Sequence, residues 1–162
     1  MIFLTVGTQF PFDRLLMAVD RALDENEHTE EIFAQVGETS YRPRKFKAVA
    51  WLDKDEFDRS FHQATAIIGH AGMGTISMAL ESNKPLLVLP RLRKFKEVVN
   101  DHQMAIARKF EQLGHLLVAY EADDVPAKLR LLPAFEPRPR QTQPEAVVEK
   151  IAGFLRNLHA PE

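Results

Sequence analysis

Ala66-Ile67-Ile68-Gly69-His70-Ala71-Gly72-Met73-Gly74-Thr75-Ile76-Ser77-Met78-Ala79-Leu80 is the stretch whose reading decides the fold. The run from Thr65 to Ile68 is short, apolar and rich in β-branched residues, the composition of a buried parallel strand. Gly69, Gly72 and Gly74 follow within six positions, and Thr75 opens a helix-compatible run. Strand, glycine turn and helix in that order aim free backbone N–H groups and a positive helix end at whatever sits before the turn. Such a turn selects an anion, most often a phosphate. The stretch predicts a nucleotide diphosphate site at the carboxyl end of a parallel strand.

A second unit of the same kind opens the chain. Ile2 to Val6 is a strand, and Gly7-Thr8-Gln9 is a small polar turn. Phe12, Leu15, Leu16, Val19 and Leu23 then recur at helical spacing over Phe12 to Asp24. Further strands are predicted at Glu31 to Val36, Phe46 to Ala50, Leu86 to Leu89 and Leu116 to Val118. Helices alternate with them near Lys54 to His62, Thr75 to Ser82, Asn100 to Leu113 and Val125 to Leu132. This alternation predicts an α/β fold, a Rossmann-like, mostly parallel sheet with helices on both faces. Ligands in such sheets bind beyond the carboxyl ends of the strands, at the topological switch. Two glycine-bearing turns facing one crevice are a stronger signal than either alone.

Residues 1–132 are expected to form the nucleotide-binding domain. Residues 133–162 hold a connector, with four of the ten prolines between Pro133 and Pro144, and a C-terminal helix from Pro144 to Leu158. That helix covers the same domain or reaches a partner. With 162 residues the chain is long enough for a sizeable core. A formal net charge of −2 argues against a general nucleic-acid binder. The absence of cysteine excludes disulfides and thiolate metal sites and fits a reducing compartment. No apolar run approaches the roughly 18–20 residues that span a bilayer. Met1 to Val6 has no basic leader and is expected to be a strand rather than a signal peptide.

His70-Ala71-Gly72-Met73-Gly74-Thr75, then Lys84-Pro85, Pro90 and Asn100-Asp101-His102-Gln103, resemble the C-terminal, donor-binding domain of family 28 glycosyltransferases. Thr5-Val6-Gly7-Thr8-Gln9-Phe10-Pro11-Phe12-Asp13 resembles the same family's opening, so the resemblance covers roughly residues 1–120. Within the family the chain is similar to stand-alone donor-binding subunits of two-part UDP-sugar transferases. These include exopolysaccharide subunits of the PssE type and the eukaryotic subunit that adds the second N-acetylglucosamine to a dolichol-linked sugar. The resemblance implies the C-terminal half of a GT-B glycosyltransferase, an inverting hexosyltransferase that is inactive alone. A membrane-associated subunit would supply the acceptor half and present a lipid-linked saccharide acceptor for polysaccharide biosynthesis. The chain would then be cytoplasmic and peripheral to the inner membrane through that partner.

The same resemblance implies roles by position. Gly72, Met73, Gly74 and Thr75 would hold the diphosphate of the UDP-sugar, with Gly7, Thr8 and Gln9 on the opposite wall. The backbone at Trp51 and Leu52 would read uracil. Asn100, Asp101 and Gln103 would meet the donor sugar. His70 would touch phosphate or sugar and is the candidate catalytic residue. One position departs from the family: many members hold the ribose with a glutamate where this chain has Met78, and Glu81 lies one helical turn further on.

Simpler roles stand beside these. Asp53-Lys54-Asp55 spells the Asp-x-Asp of metal-dependent transferases, yet its place at a helix start, with Glu56 following, identifies a cap. No other His or carboxylate cluster has metal-site spacing, so neither metal nor cofactor is expected. His28, His62 and His159 are expected to be surface or helix-face histidines rather than ligands, and His102 is either a cap-region residue or a sugar contact. The basic groups Arg42 to Lys47 and Arg91 to Lys96 are expected to be solvated loops, or to meet an anionic surface or lipid diphosphate. Met78 favours a second function class, a non-catalytic nucleotide-binding module that stabilises a membrane partner. A third, a self-contained enzyme on a nucleotide-sugar, would need a homodimer to complete its cleft.

Overall fold

The structure, a computed structural model, describes residues 1–25, 30–139, 148–152 and 154. Six strands are present: β1 (Ile2–Thr5), β2 (Ile32–Gln35), β3 (Lys47–Val49), β4 (Ala66–Gly69), β5 (Leu86–Val88) and β6 (Leu117–Val118). They form one parallel sheet in the order β3-β2-β1-β4-β5-β6. The helices are α1 (Asp13–Glu25), α2 (Lys54–Gln63), α3 (Met73–Glu81), α4 (His102–Gln112) and α5 (Val125–Leu131). The chain runs outward from β1 to β3, returns to place β4 beside β1, and runs outward again to β6. The switch point therefore lies between β1 and β4, where Thr5 is in register with Gly69. The expected α/β, Rossmann-like sheet is what the chain forms.

Both faces of the sheet are covered, which is why its strands are apolar at almost every position. Ile2, Leu4 and Val6, with Ile68 and Leu87, pack with α1 and α5. Phe3, Ile67, Leu86 and Val88 point the other way, toward Phe61 of α2, Ile76 and Ala79 of α3 and Ala107 of α4. Phe3 meets Phe57 edge-on at 5.4 Å between ring centroids. Each fully buried side chain of this size stabilises the fold by about 1.5–3 kcal/mol.

Among the differences from expectation are two helix starts and two loops, each with a local reason. α3 starts at Met73 rather than Thr75, because Gly72 N–H closes the turn on His70 O at 2.8 Å and Ile76 N–H then bonds Gly72 O at 3.1 Å. α4 starts at His102 rather than Asn100, whose side-chain oxygen accepts from His102 N–H at 3.2 Å. Arg91 to Val99 is not an open basic loop: it holds a 3₁₀ turn at Arg93–Phe95, and Arg91 and Glu97 are buried. Residues 38–45 are likewise held down. Asp13 accepts from the Thr39 and Ser40 hydroxyls. The buried Asp20 carboxylate accepts from Tyr41 Oη and from the amides of Arg44 and Lys45 at 2.6–3.0 Å.

The start of the proline-rich connector is strapped to the end of α4. Arg138 N–H bonds Gly114 O at 2.9 Å, and His115 Nδ1 donates to Arg138 O at 2.7 Å. Residues 148–152 and 154 are helical, with Val148, Ile151 and Phe154 exposed. The rest of the predicted connector and terminal helix lies outside the described residues. No helix among the described residues is long and apolar enough to cross a membrane.

Candidate functional site

The turns after β1 and β4 flank the switch point, and the His70 imidazole is wedged between them. Gly7 has φ +77°, and a Cβ there would lie 2.8 Å from His70 Cε1. A Cβ on Gly72 would lie 2.3 Å from His70 Nε2. Both turns carry glycine because the ring leaves no room for a side chain. In front of the ring is a cavity of about 380 Å³. Gly7, Thr8 and Gln9 line one side, Gly72 to Thr75 the other, and Arg91, His102 and Gln103 complete it.

The α3 N-terminus that faces this cavity is uncapped. Gly72 supplies no side-chain bond, whereas Asp53 caps α2 by accepting from Glu56 N–H at 2.8 Å. The first helical bond of α3 is that of Ile76, so the N–H groups of Met73, Gly74 and Thr75 precede the ladder and are available to a ligand. A Cβ on Gly74 would meet nothing within 4 Å, so a ligand can approach this amide without obstruction. Helix dipole and free donors together give the cavity the chemistry that suits an anion.

His70 is kept neutral. Burial, and then the nearby Arg91 guanidinium, push its pKa down to about 4. Its Nδ1 is buried without a hydrogen-bond partner among the described residues. In the unfolded chain the group titrates near 6.5. Below that pH the unfolded state binds the extra proton, so stability present above pH 6.5 is lost as pH falls toward 4. The shift corresponds to at most about 3 kcal/mol. Comparing urea unfolding of the native chain and His70→Gln should show a steeper acid loss in the native chain over that window. Parallel curves would contradict a neutral, buried imidazole.

Arg91 lies at the carboxyl end of β5 and is only 3% exposed. Its Nη2 donates to Val6 O at 2.5 Å and Phe10 O at 2.7 Å, and its Nη1 to Pro11 O at 3.2 Å and Glu97 O at 3.1 Å. Burial lowers its pKa to about 10, opposed by Glu97, so it stays charged at neutral pH. The Glu97 carboxylate takes both Arg14 Nε at 2.9 Å and Arg14 Nη2 at 2.8 Å, and also Leu92 N–H at 3.0 Å. The guanidinium therefore clamps the Gly7–Pro11 turn to the β5 end. Its four bonded donors serve backbone carbonyls, and its function is positioning. Sequence reasoning missed this cluster. The available signal was the single acid, Glu97, inside an otherwise basic segment.

The expected site residues fall into three groups. Gly7, Thr8, Gln9, His70, Gly72, Met73, Gly74, Thr75 and Gln103 surround the one cavity. Gln103 is buried, and its side-chain oxygen accepts from Arg91 N–H at 3.1 Å. Trp51 lines a smaller pocket on the other side of the Gly7–Phe10 turn. Leu52 N–H is taken by Gln35 Oε1 at 3.1 Å, which leaves that amide unavailable to a base. Asn100 and Asp101 do not line the cavity: Asn100 Oδ1 accepts from the His102 ring at 2.6 Å, and Asp101 Oδ1 from Arg93 N–H at 2.7 Å. His102 does line it, with its Nδ1 engaged by Asn100.

Comparison with known proteins gives a consistent picture. The sequence profile of the glycosyltransferase family 28 C-terminal domain matches residues 1–157. A UDP-N-acetylglucosamine transferase subunit ALG13 from Mus musculus is 32% identical over 123 residues, which are 70% of this chain and 10% of the mouse protein. The chain thus spans about a tenth of that relative's length. An NMR solution structure of ALG13 superposes with a TM-score of 0.61 at 20% identity, over 89% of this chain and 91% of that one. The crystal structure of Acinetobacter baumannii MurG superposes with a TM-score of 0.60 at 19% identity, over 82% of this chain and 43% of that one.

Proposed function

The chain belongs to the family of glycosyltransferase family 28 C-terminal domains, and from that premise we propose that it is the donor-binding part of a UDP-sugar transferase. The observation that carries this reading is the uncapped α3 N-terminus facing the Gly7–Gln9 turn across a cavity at the switch point. The amides of Met73, Gly74 and Thr75, with the Thr75 hydroxyl, would hold the diphosphate. As the sugar bond breaks, negative charge collects on the leaving UDP, and these preorganised donors strengthen with it. Each charge-assisted hydrogen bond contributes about 1.5–3 kcal/mol. The donor sugar would lie toward His102 and Gln103 and be transferred with inversion.

A second, membrane-associated polypeptide would supply the acceptor half and a lipid-linked saccharide. The chain would work at the membrane periphery through that partner, in the manner of exopolysaccharide subunits of the PssE type. The reading is tested by turnover of the reconstituted pair with UDP-sugar and lipid-linked acceptor. Thr75→Ala is expected to reduce the rate about 10–100-fold, the scale of one or two lost charge-assisted bonds. Equal rates would favour the alternative that Met78 suggests, a nucleotide-binding scaffold without a part in the chemistry.

A further inference from the structure

We infer that Arg91, besides clamping the Gly7–Pro11 turn, makes the cavity at the switch point select its ligand by charge, a diphosphate over a monophosphate, a role that rests on the donor-binding reading above. Arg91 is the only Arg, Lys, Asp or Glu lining that cavity among the described residues. Its guanidinium lies behind the wall formed by the Gly7–Phe10 turn, because its Nη2 donates to both Val6 O and Phe10 O. All its bonded acceptors are backbone carbonyls, which satisfy donors but carry no net charge. Its Nε is buried with no partner among the described residues.

The neighbouring acid does not cancel this charge. Glu97 meets Arg91 through its backbone carbonyl, while its carboxylate is held at two points by Arg14 and accepts from Leu92 N–H. Arg14 and Glu97 therefore neutralise each other, and the charge of Arg91 is left over. A buried charge in that state is costly to the fold. An anion entering the cavity relieves part of that cost, and each further negative charge on the anion relieves more. The field of Arg91 already reaches the cavity wall: after burial, it is the second cause that holds His70 neutral. The free amides of Met73, Gly74 and Thr75 can each bond one phosphate oxygen, whereas Arg91 acts through space on the total charge.

The same network supplies variants that change the balance of charge without removing Arg91. Arg14→Met leaves the bonds of Arg91 in place and frees the Glu97 carboxylate to neutralise it, and Glu97→Gln removes the negative charge instead. Calorimetry on the full chain compares UDP with UMP, and pyrophosphate with phosphate, for the native protein and each variant, with folding verified by circular dichroism. The native chain should prefer the diphosphate of each pair. Arg14→Met should lower that preference about tenfold, the scale of one charge acting over about 10 Å in a protein-like medium, and Glu97→Gln should raise it by a similar factor. Arg91→Lys keeps the charge and loses the fork, so both affinities should fall together and the preference stay within about twofold of native. A folded Arg14→Met or Glu97→Gln that leaves the preference unchanged would overturn this role for Arg91, as would a preference lost in Arg91→Lys. A native chain that binds pyrophosphate but neither nucleotide would overturn the donor-binding reading alone, and one that binds none of these ligands would overturn both.

Discussion

Replacing Arg91 with leucine is expected to lower the unfolding free energy by about 3–5 kcal/mol, the cost of breaking a buried charged network. Four carbonyls, those of Val6, Phe10, Pro11 and Glu97, lose their donors inside the protein. The Phe12 ring also loses the guanidinium stacked 4.8 Å from its centroid. Arg91→Lys should fall between, because an ammonium keeps the charge but cannot fork across several carbonyls. Urea denaturation reads the effect as a lower midpoint with an unchanged slope. Nucleotide affinity should fall as well, since the clamped turn is the wall opposite α3. A stability loss below about 1 kcal/mol, the net value of one ordinary hydrogen bond, would contradict the clamp.

Gly74→Asp should separate binding from folding. A Cβ at this position meets nothing within 4 Å, and a carboxylate in the first turn of α3 is favoured by the helix dipole. Stability should therefore stay the same or rise by about 0.3–1 kcal/mol. The new charge, however, would sit where the diphosphate belongs. Like charges about 4 Å apart near a protein surface repel by about 4 kcal/mol, so UDP affinity should fall at least about a hundredfold. Calorimetric titration of the folded variant is the measurement. Undiminished affinity would move the nucleotide site away from α3.

The two glycine turns and the alternating strands and helices of the sheet were legible because each depends on neighbours in sequence. Ala66 to Leu80 carries its strand, turn and helix in one stretch, and the alternation of strands and helices leaves few topologies open. Asp53 and Glu56 gave away the α2 cap for the same reason. What was not legible depends on pairs brought together by the fold. Arg91 reaches Val6 from 85 residues away, and Arg14 reaches Glu97 from 83. Such partners leave no periodicity, so Arg91 to Lys96 looked like a solvated basic loop. His70 was visible as a residue type beside glycines, but its neutrality follows from burial between Gly7 and Gly72. Asn100 and Asp101 looked like free sugar ligands, although their side chains make contacts within their own loop.

The central claim is that a nucleoside diphosphate lies across the switch point, with its phosphates on the first turn of α3. Titrating the isotopically labelled chain with UDP, and following each backbone amide by NMR, tests this most directly. The largest and saturable shifts should fall on Met73, Gly74 and Thr75, with a second group at Gly7, Thr8 and Gln9, and should vanish in Gly74→Asp. Shifts confined to another surface, such as the groove beside α1 lined by Met17, Tyr41 and Phe95, would contradict the account.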